Sequence, residues 1–241
     1  MNPELDWIER AKRNAALEAV KNVKDCYAVG LGSGSTTAYA IEELGKKIGS
    51  EKLSVLGVPT SYQAFLLAVK HGIPVTTLEE HPTLDLAIDG TDQIDDELDL
   101  IKGMGGALAR EKIVASAAKR FIVIADETKK VEVLGENGHP VPIEVLPFAA
   151  SFVACKIRDM DGKPVLREGK GKVGPVVTDN GNVIIDADFG LIHNPTDLQC
   201  TLKELPGVVE TGLFVKMADV AYLGKESHVT KLQKRRSASK F

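Results

Sequence analysis

A carboxylate sits where a helix should be apolar. The residues from Ala107 to Lys119 predict a helix. Advancing about 100° per residue places Glu111 between Ala107 and Ala118 on one side and Ala115 on the other, with Val114 nearby. Lys112, Ser116 and Lys119 fall on a separate, polar arc. A carboxylate on a face of small apolar residues is partly buried. Burial raises its pKa and makes it a candidate general base. The alternative is a structural ion pair with Arg110 or a neighbouring element.

Four other groups could assist such a base. The first is Gly32-Ser33-Gly34-Ser35-Thr36-Thr37, where an apolar run feeds a glycine-rich turn and then a helical pattern. Free N–H groups at a helix N-terminus favour an anion, and the hydroxyls of Ser33, Ser35, Thr36 and Thr37 suit phosphate oxygens. An ordinary capped turn is the plainer reading. Counted from Gly30, the third glycine of the dinucleotide fingerprint is replaced by Ser35, and no Gly-Lys-Ser/Thr follows to make a P-loop. The second group is Asp89-Gly90-Thr91-Asp92, at the end of an expected strand. There, two acids could handle hydroxyl protons of a polyol, or simply cap a turn. A calcium loop is excluded, since Thr91 and Gln93 hold positions that need oxygen-rich ligands and Ile94 stands where the glycine belongs. Asp95, Asp96, Glu97 and Asp99 read as a solvated turn. The third group is Lys102-Gly103-Met104-Gly105-Gly106, a cation beside a flexible loop whose N–H groups could stabilise an oxyanion. The fourth is the pair Lys129 and Lys130, just past a strand end; taken alone, both read as solvated lysines.

These groups need elements to position them. Helices are expected at Leu5–Val23, Ala38–Ile48, Tyr62–Lys70 and Ala107–Lys119. Strands are expected at Tyr27–Leu31, Leu53–Val58, Ile73–Thr77, Leu84–Ile88 and Phe121–Ala125. That alternation implies a parallel, Rossmann-like sheet covered on both faces. From Val141 to Val209 the order becomes strand, helix, strand, strand, helix, strand, a small ferredoxin-like α+β pattern. Within it, Thr178-Asp179-Asn180-Gly181-Asn182 signals a hairpin with a type I′ turn. Apolar runs then return at Leu213–Val215 and Val220–Leu223. The expected organisation is an α/β domain of residues 1–134 and 207–241, with a small α+β domain of residues 135–206 inserted before the C-terminal segment. The end, from Lys231 to Phe241, is basic and polar and reads as a frayed tail.

Composition narrows the function classes. The chain has 241 residues, 44% hydrophobic and 27% charged, with a formal net charge of −4. That balance suits a globular protein and disfavours general nucleic-acid binding. There is no apolar run of about 18 residues for a membrane span and no signal-peptide core. Cys26, Cys155 and Cys200 are odd in number and widely spaced, and the five histidines show no metal-ligand spacing. A reduced, cytoplasmic protein without metal or organic cofactor is the simplest expectation.

Taken together, the motifs resemble one family. Gly-Leu-Gly-Ser-Gly-Ser-Thr-Thr (30–37), Ile-Asp-Gly-Thr-Asp-Gln-Ile (88–94), Lys-Gly-Met-Gly-Gly-Ala-Leu-Ala-Arg-Glu-Lys (102–112) and Ile-Ala-Asp-Glu-Thr-Lys (124–129) are similar to type A ribose-5-phosphate isomerase. The likeness continues through Val-Pro-Ile-Glu-Val-Leu-Pro (141–147) and Val-Thr-Asp-Asn-Gly-Asn (177–182) to Gly-Val-Val-Glu-Thr-Gly-Leu-Phe (207–214). It implies interconversion of ribose 5-phosphate and ribulose 5-phosphate through a cis-enediolate, in the non-oxidative pentose phosphate pathway. By the same likeness, Ser33, Gly34, Ser35 and Thr36 form a substrate loop. Asp89, Gly90, Thr91, Asp92, Lys102, Gly103, Met104 and Gly105 surround the sugar. Glu111 is the base, assisted by Asp89, Asp92 and Lys102, with Asp89 aiding ring opening. Lys129 contacts the phosphate, and Lys12 is a weaker phosphate candidate. The family habit is a homodimer or a dimer of dimers. Gln93 and Met104 depart from the family pattern, which bears on loop flexibility and affinity rather than proton transfer. The rival reading is a sugar-phosphate sensor without catalysis, which could dispense with Lys102 or Glu111.

Overall fold

The computed structural model describes residues 3–233. The helices are α1 (Pro3–Val20), α2 (Ser35–Glu51), α3 (Tyr62–Lys70), α4 (Leu108–Ala117), α5 (Ala150–Arg158) and α6 (Pro195–Lys203). The first strands are β1 (Ala28–Leu31), β2 (Leu56–Pro59), β3 (Leu86–Gly90), β4 (Gln93–Ile94), β5 (Leu100–Ile101) and β6 (Phe121–Asp126). The later ones are β7 (Val141–Val145), β8 (Lys163–Leu166), β9 (Val183–Asp188), β10 (Val208–Thr211), β11 (Leu213–Phe214), β12 (Val220–Gly224) and β13 (Val229–Gln233).

The expected α/β class holds. A six-stranded sheet runs β13-β12-β6-β3-β1-β2. It is parallel except for β13, which pairs antiparallel with β12. Its inner strands are continuous apolar runs, as in β6, where all six residues are buried; strands covered on both faces require this. A separate four-stranded antiparallel sheet runs β10-β7-β9-β8, and with α5 and α6 it completes the expected β-α-β-β-α-β order. A third sheet, β11-β5-β4, was not expected.

Strand order fixes where a ligand can sit. After β1 the chain adds β2 on one side, then places β3 on the other. The connections leaving β1 and β3 therefore diverge, opening a crevice at their carboxyl ends. On one face of the sheet, α1 lies close against β6 and β12. Its stripe of Ala11, Ala15, Ala16 and Ala19 is fully buried, and small side chains permit that approach.

Several expectations need correction. Ile73–Thr77 is no strand; it contributes a single bridge, Gly57 to Val75. Pro74 lacks an N–H to extend a ladder, and Val75 is exposed. The turn at 178–181 is not type I′, because Asn180 does not adopt positive φ and only Gly181 does, at 80°. The Gly181 N–H donates to Thr178 O at 2.9 Å, as in a type I turn followed by a left-handed glycine. The acids from Asp95 to Asp99 form the turn between β4 and β5, with Asp96 and Glu97 exposed as expected; the Asp95 carboxylate accepts the N–H groups of Glu97 and Asp99, but Asp99 is buried and accepts from Lys216 N at 2.6 Å. Lys231 to Gln233 belong to β13; the rest of the expected frayed tail, 234–241, lies outside the described residues. Among the described residues no helix is long and apolar enough to cross a membrane.

The contact between α1 and β12 gives a direct test of this packing. A Cβ on Gly224 would lie 1.8 Å from the Ala11 carbonyl oxygen. Gly224→Ala is expected to lower stability by about 1–3 kcal/mol, the usual cost of overpacking, read from the denaturant midpoint. An unchanged midpoint would contradict the close helix–strand approach.

Candidate active site

A cavity of about 430 Å³ opens at the carboxyl ends of β1, β3 and β6. Its walls gather residues that are far apart in sequence. Ser33, Gly34, Ser35 and Thr36 come from the turn after β1, and Gly90, Thr91 and Asp92 from the end of β3. Lys102, Gly103, Gly105 and Glu111 come from the loop before α4 and from α4 itself. Lys129 arrives from the short 3₁₀ turn after β6, and Lys12 from α1. Two expected residues are off the wall: Asp89 lies behind it, and the Met104 side chain packs toward Arg167.

The first turn of α2 is open to an anion. Its N-cap residue, Gly34, has φ of 106° and no side chain to cap the helix. The first intrahelical bond runs from Ala38 N to Gly34 O, so the N–H groups of Ser35, Thr36 and Thr37 have no partner within the helix. Not every hydroxyl expected there is available. Thr37 is buried and donates to Gly34 O at 3.0 Å. Ser33 Oγ bonds Thr60 Oγ1 at 2.8 Å and donates to Ser61 Oγ at 2.5 Å.

Lys102 is the centre of charge. It is 2% exposed, between Asp89 at 3% and Glu111 at 5%. Its Nζ lies 3.2 Å from Asp89 Oδ2 and 3.1 Å from Glu111 Oε2. These are ion pairs without directed hydrogen bonds, since both carboxylate oxygens lack a hydrogen-bonding partner. The ammonium's directed bond goes to Gly90 O at 2.7 Å. The other Asp89 oxygen accepts Ser33 N at 3.1 Å and Gly90 N at 2.7 Å. Asp89 thus holds the glycine-rich turn after β1 and Lys102 together. Arg110, the other partner considered for Glu111, instead reaches Asn180 Oδ1 at 2.7 Å and Asp179 O at 2.8 Å.

Burial dominates the titration of these groups. It drives the Glu111 carboxyl up to about 8, aided by the nearby Asp89 charge and opposed by Lys102. The Asp89 carboxyl is also raised, by burial against the pull of Lys102 and of the Gly90 and Ser33 N–H groups. Burial alone would depress Lys102, but Asp89, Glu111 and Asp92 outweigh it and hold the ammonium above its ordinary value. Lys102 therefore stays charged while Glu111 is poised to exchange a proton near neutrality.

Other expected residues divide between the site and its support. Asp92 Oδ2 accepts Met104 N at 3.0 Å, tying the ends of the 92–104 segment together. Lys12 is paired with Glu9 at 2.8 Å. Lys130 turns away to Asp96 at 2.8 Å, leaving Lys129 as the lysine of that pair on the cavity. Gln93 is structural: its amide donates to Glu136 O at 2.9 Å and accepts Gly135 N at 2.8 Å. Lys112 was expected on a polar surface, but it is buried and donates to Glu210 Oε1 at 2.9 Å and Thr211 O at 2.7 Å. Burial lowers its pKa to about 8 against the pull of Glu210.

Several lining residues were not among the site candidates read from sequence. Ser61 caps α3 by accepting Ala64 N, and Gln63 Oε1 accepts Gly34 N at 2.9 Å. Only the Ser61 cap has a local sequence signal. Thr178 and Asp179 reach the wall from the four-stranded sheet, with Asp179 Oδ2 accepting Tyr62 N at 2.8 Å. Among the described residues no group of three or more His, Cys, Asp or Glu side chains could hold a metal ion.

Comparison with known proteins places the chain in a family. The sequence model of the family described as ribose 5-phosphate isomerase A (phosphoriboisomerase A) matches residues 56–228. The chain is 50% identical over 221 residues to the ribose-5-phosphate isomerase A of Methanosarcina acetivorans, covering 92% of this chain and 93% of that one. It is 46% identical over 228 residues to the Pyrococcus horikoshii protein of the same name, covering 94% and 99%. A solved D-ribose-5-phosphate isomerase in complex with phospho-erythronic acid superposes with a TM-score of 0.91 at 46% identity, covering 94% of this chain and 99% of that one. The ribose 5-phosphate isomerase A of Methanocaldococcus jannaschii superposes at 0.90 with 45% identity, covering 94% and 99%. The chain belongs to the ribose 5-phosphate isomerase A family.

Proposed function

We propose that the cavity is where this enzyme interconverts ribose 5-phosphate and ribulose 5-phosphate, with Glu111 as the base that carries the proton between C2 and C1. The observation that carries this reading is a buried carboxylate on the cavity wall, raised toward neutrality and facing a buried ammonium. Glu111 takes the C2 proton of the open aldehyde. The enediolate that forms carries its charge on oxygen, and Lys102 with the uncommitted N–H of Gly105 stabilises it. Glu111 then returns the proton to C1 on the same face, while the hydroxyl proton of O2 passes to O1 to leave the C2 ketone. Ring opening requires proton transfer at the anomeric hydroxyl and ring oxygen. Of the two carboxylates expected to assist, Asp92 lines the cavity, whereas Asp89 sits behind Lys102 and acts through it. A sensor without catalysis would have no use for the Lys102–Glu111 pair.

The phosphate fits the opposite end of the cavity. The uncapped first turn of α2 offers backbone N–H groups, and Lys129 adds a full charge from the end of β6. Phospho-erythronic acid, which a related enzyme holds, is a suitable probe because it joins a phosphate to a carboxylate.

Two variants separate these roles. Glu111→Gln is expected to lower turnover by about 10²–10⁴-fold, the usual contribution of a general base, while phospho-erythronic acid still binds. Turnover within about tenfold of wild type would remove Glu111 from the role. Lys129→Ala is expected to raise KM for ribose 5-phosphate far more than it changes the rate with unphosphorylated ribose, because a remote anchor positions the reacting carbon. Equal losses on both substrates would contradict the anchor.

A further inference from the structure

The loop proposed to hold the enediolate is itself held by an arginine from the other sheet. Arg167 follows β8, and its guanidinium is clamped by Asp186 of β9, with Nε to Oδ2 at 2.7 Å and Nη2 to Oδ1 at 2.5 Å. This bidentate pair is largely buried, with side chains 11% and 19% exposed, so the fork has a fixed direction. The remaining nitrogen, Nη1, donates to two successive carbonyls, Gly103 O at 2.9 Å and Met104 O at 3.0 Å. Nη2 also lies 3.9 Å from Met104 Sδ.

Peptide planarity gives this clamp a consequence. In a trans peptide the C=O and N–H point in opposite directions, and the described residues contain no cis bond. With Gly103 O held by Arg167, the N–H of the same peptide, that of Met104, must point away from Arg167. It does, donating to Asp92 Oδ2 at 3.0 Å. With Met104 O held likewise, the Gly105 N–H must also point away. Gly105 lines the cavity, and its N–H has no acceptor among the described residues. Gly106 N is already committed to Gly103 O at 2.9 Å. Gly105 is therefore a loop donor left for an oxyanion, and the one whose peptide Arg167 turns.

We propose that Arg167, aligned by Asp186, is a positioning residue that turns the Met104–Gly105 peptide so that its N–H faces the developing oxyanion. This rests on the enediolate reading of the cavity. Arg167 touches no substrate; it sets a dipole that does. It also gives the four-stranded sheet a share in the chemistry, since both clamp residues belong to that part of the chain.

The test compares Arg167→Ala, Arg167→Lys and Asp186→Asn with wild type. Arg167→Ala is expected to lower kcat on ribose 5-phosphate by about 10–100-fold, somewhat less than outright loss of an oxyanion donor. Affinity for phospho-erythronic acid should fall, while affinity for inorganic phosphate stays as in wild type, because the phosphate end is held by other elements. Arg167→Lys keeps a cationic donor for the two carbonyls and should recover part of kcat. Asp186→Asn should lie between Arg167→Ala and wild type. An unchanged kcat in Arg167→Ala would overturn the proposal. So would a parallel loss of kcat, phosphate affinity and thermal stability in all three variants, the signature of a structural role alone. An impaired Arg167→Ala beside a fully active Glu111→Gln would keep the clamp and remove the base assignment. An inactive Glu111→Gln beside an unchanged Arg167→Ala would do the reverse.

Discussion

One buried ammonium between two buried carboxylates is the interaction on which the site depends. Lys102 faces Asp89 and Glu111 at 3.2 and 3.1 Å, and all three are almost fully enclosed. A single positive charge cannot compensate two negative ones where water is excluded. The arrangement therefore favours a proton on one carboxyl, and both acids are displaced upward. Asp89 receives two backbone N–H bonds, whereas Glu111 faces the cavity. Glu111, once ionised, is therefore the one of the two that can take a proton from a substrate, and its raised pKa lets it hold that proton until it is returned. The same displacement links stability to pH. Because its folded pKa is raised, Glu111 contributes stability that is fully present below the ordinary value of 4.5 and is lost as pH rises through about 8.

Sheet topology brings the three groups together. Asp89 is on β3, Lys102 follows β5 and Glu111 is on α4. Lys102 N donates to Gly212 O at 2.8 Å, so the small sheet β11-β5-β4 fixes its backbone. Its ammonium lies 5.4 Å from the centre of the Phe214 ring, with that of Lys112 at 4.8 Å. The face of a buried aromatic ring adds to what the carboxylate partners supply in holding both cations. The reversal of strand order between β1 and β3 then supplies the crevice into which this cluster opens.

Much of this was legible in the sequence because it is local. Helical periodicity alone put Glu111 on an apolar face, and continuous apolar runs marked the inner parallel strands. The glycine-rich turn after β1 and the helix that follows it were readable in the order of their residues. What escaped depends on partners far away in the chain. Lys112 shares an arc with surface residues, but Glu210 and Thr211 arrive to bury it. The third sheet is built from two-residue strands, too short for any periodicity to register. Ile73–Thr77 has strand-like composition but no second neighbour to complete a ladder. Arg167 carries no signal of its own, since nothing near it in sequence indicates that Asp186 will align it or that Gly103 and Met104 will meet it.

The central claim is that the buried triad raises the proton affinity of Glu111, so that its ionised form is a stronger base than an ordinary carboxylate, and its ionisation can be read directly. Infrared difference spectra of wild type and Glu111→Gln across the pH range would isolate the Glu111 carboxyl stretch. The account predicts that the protonated band persists through weakly acidic pH and disappears with a midpoint near 8. Disappearance near the ordinary carboxyl value of 4.5 would contradict it, because the buried triad would then not be tuning the base.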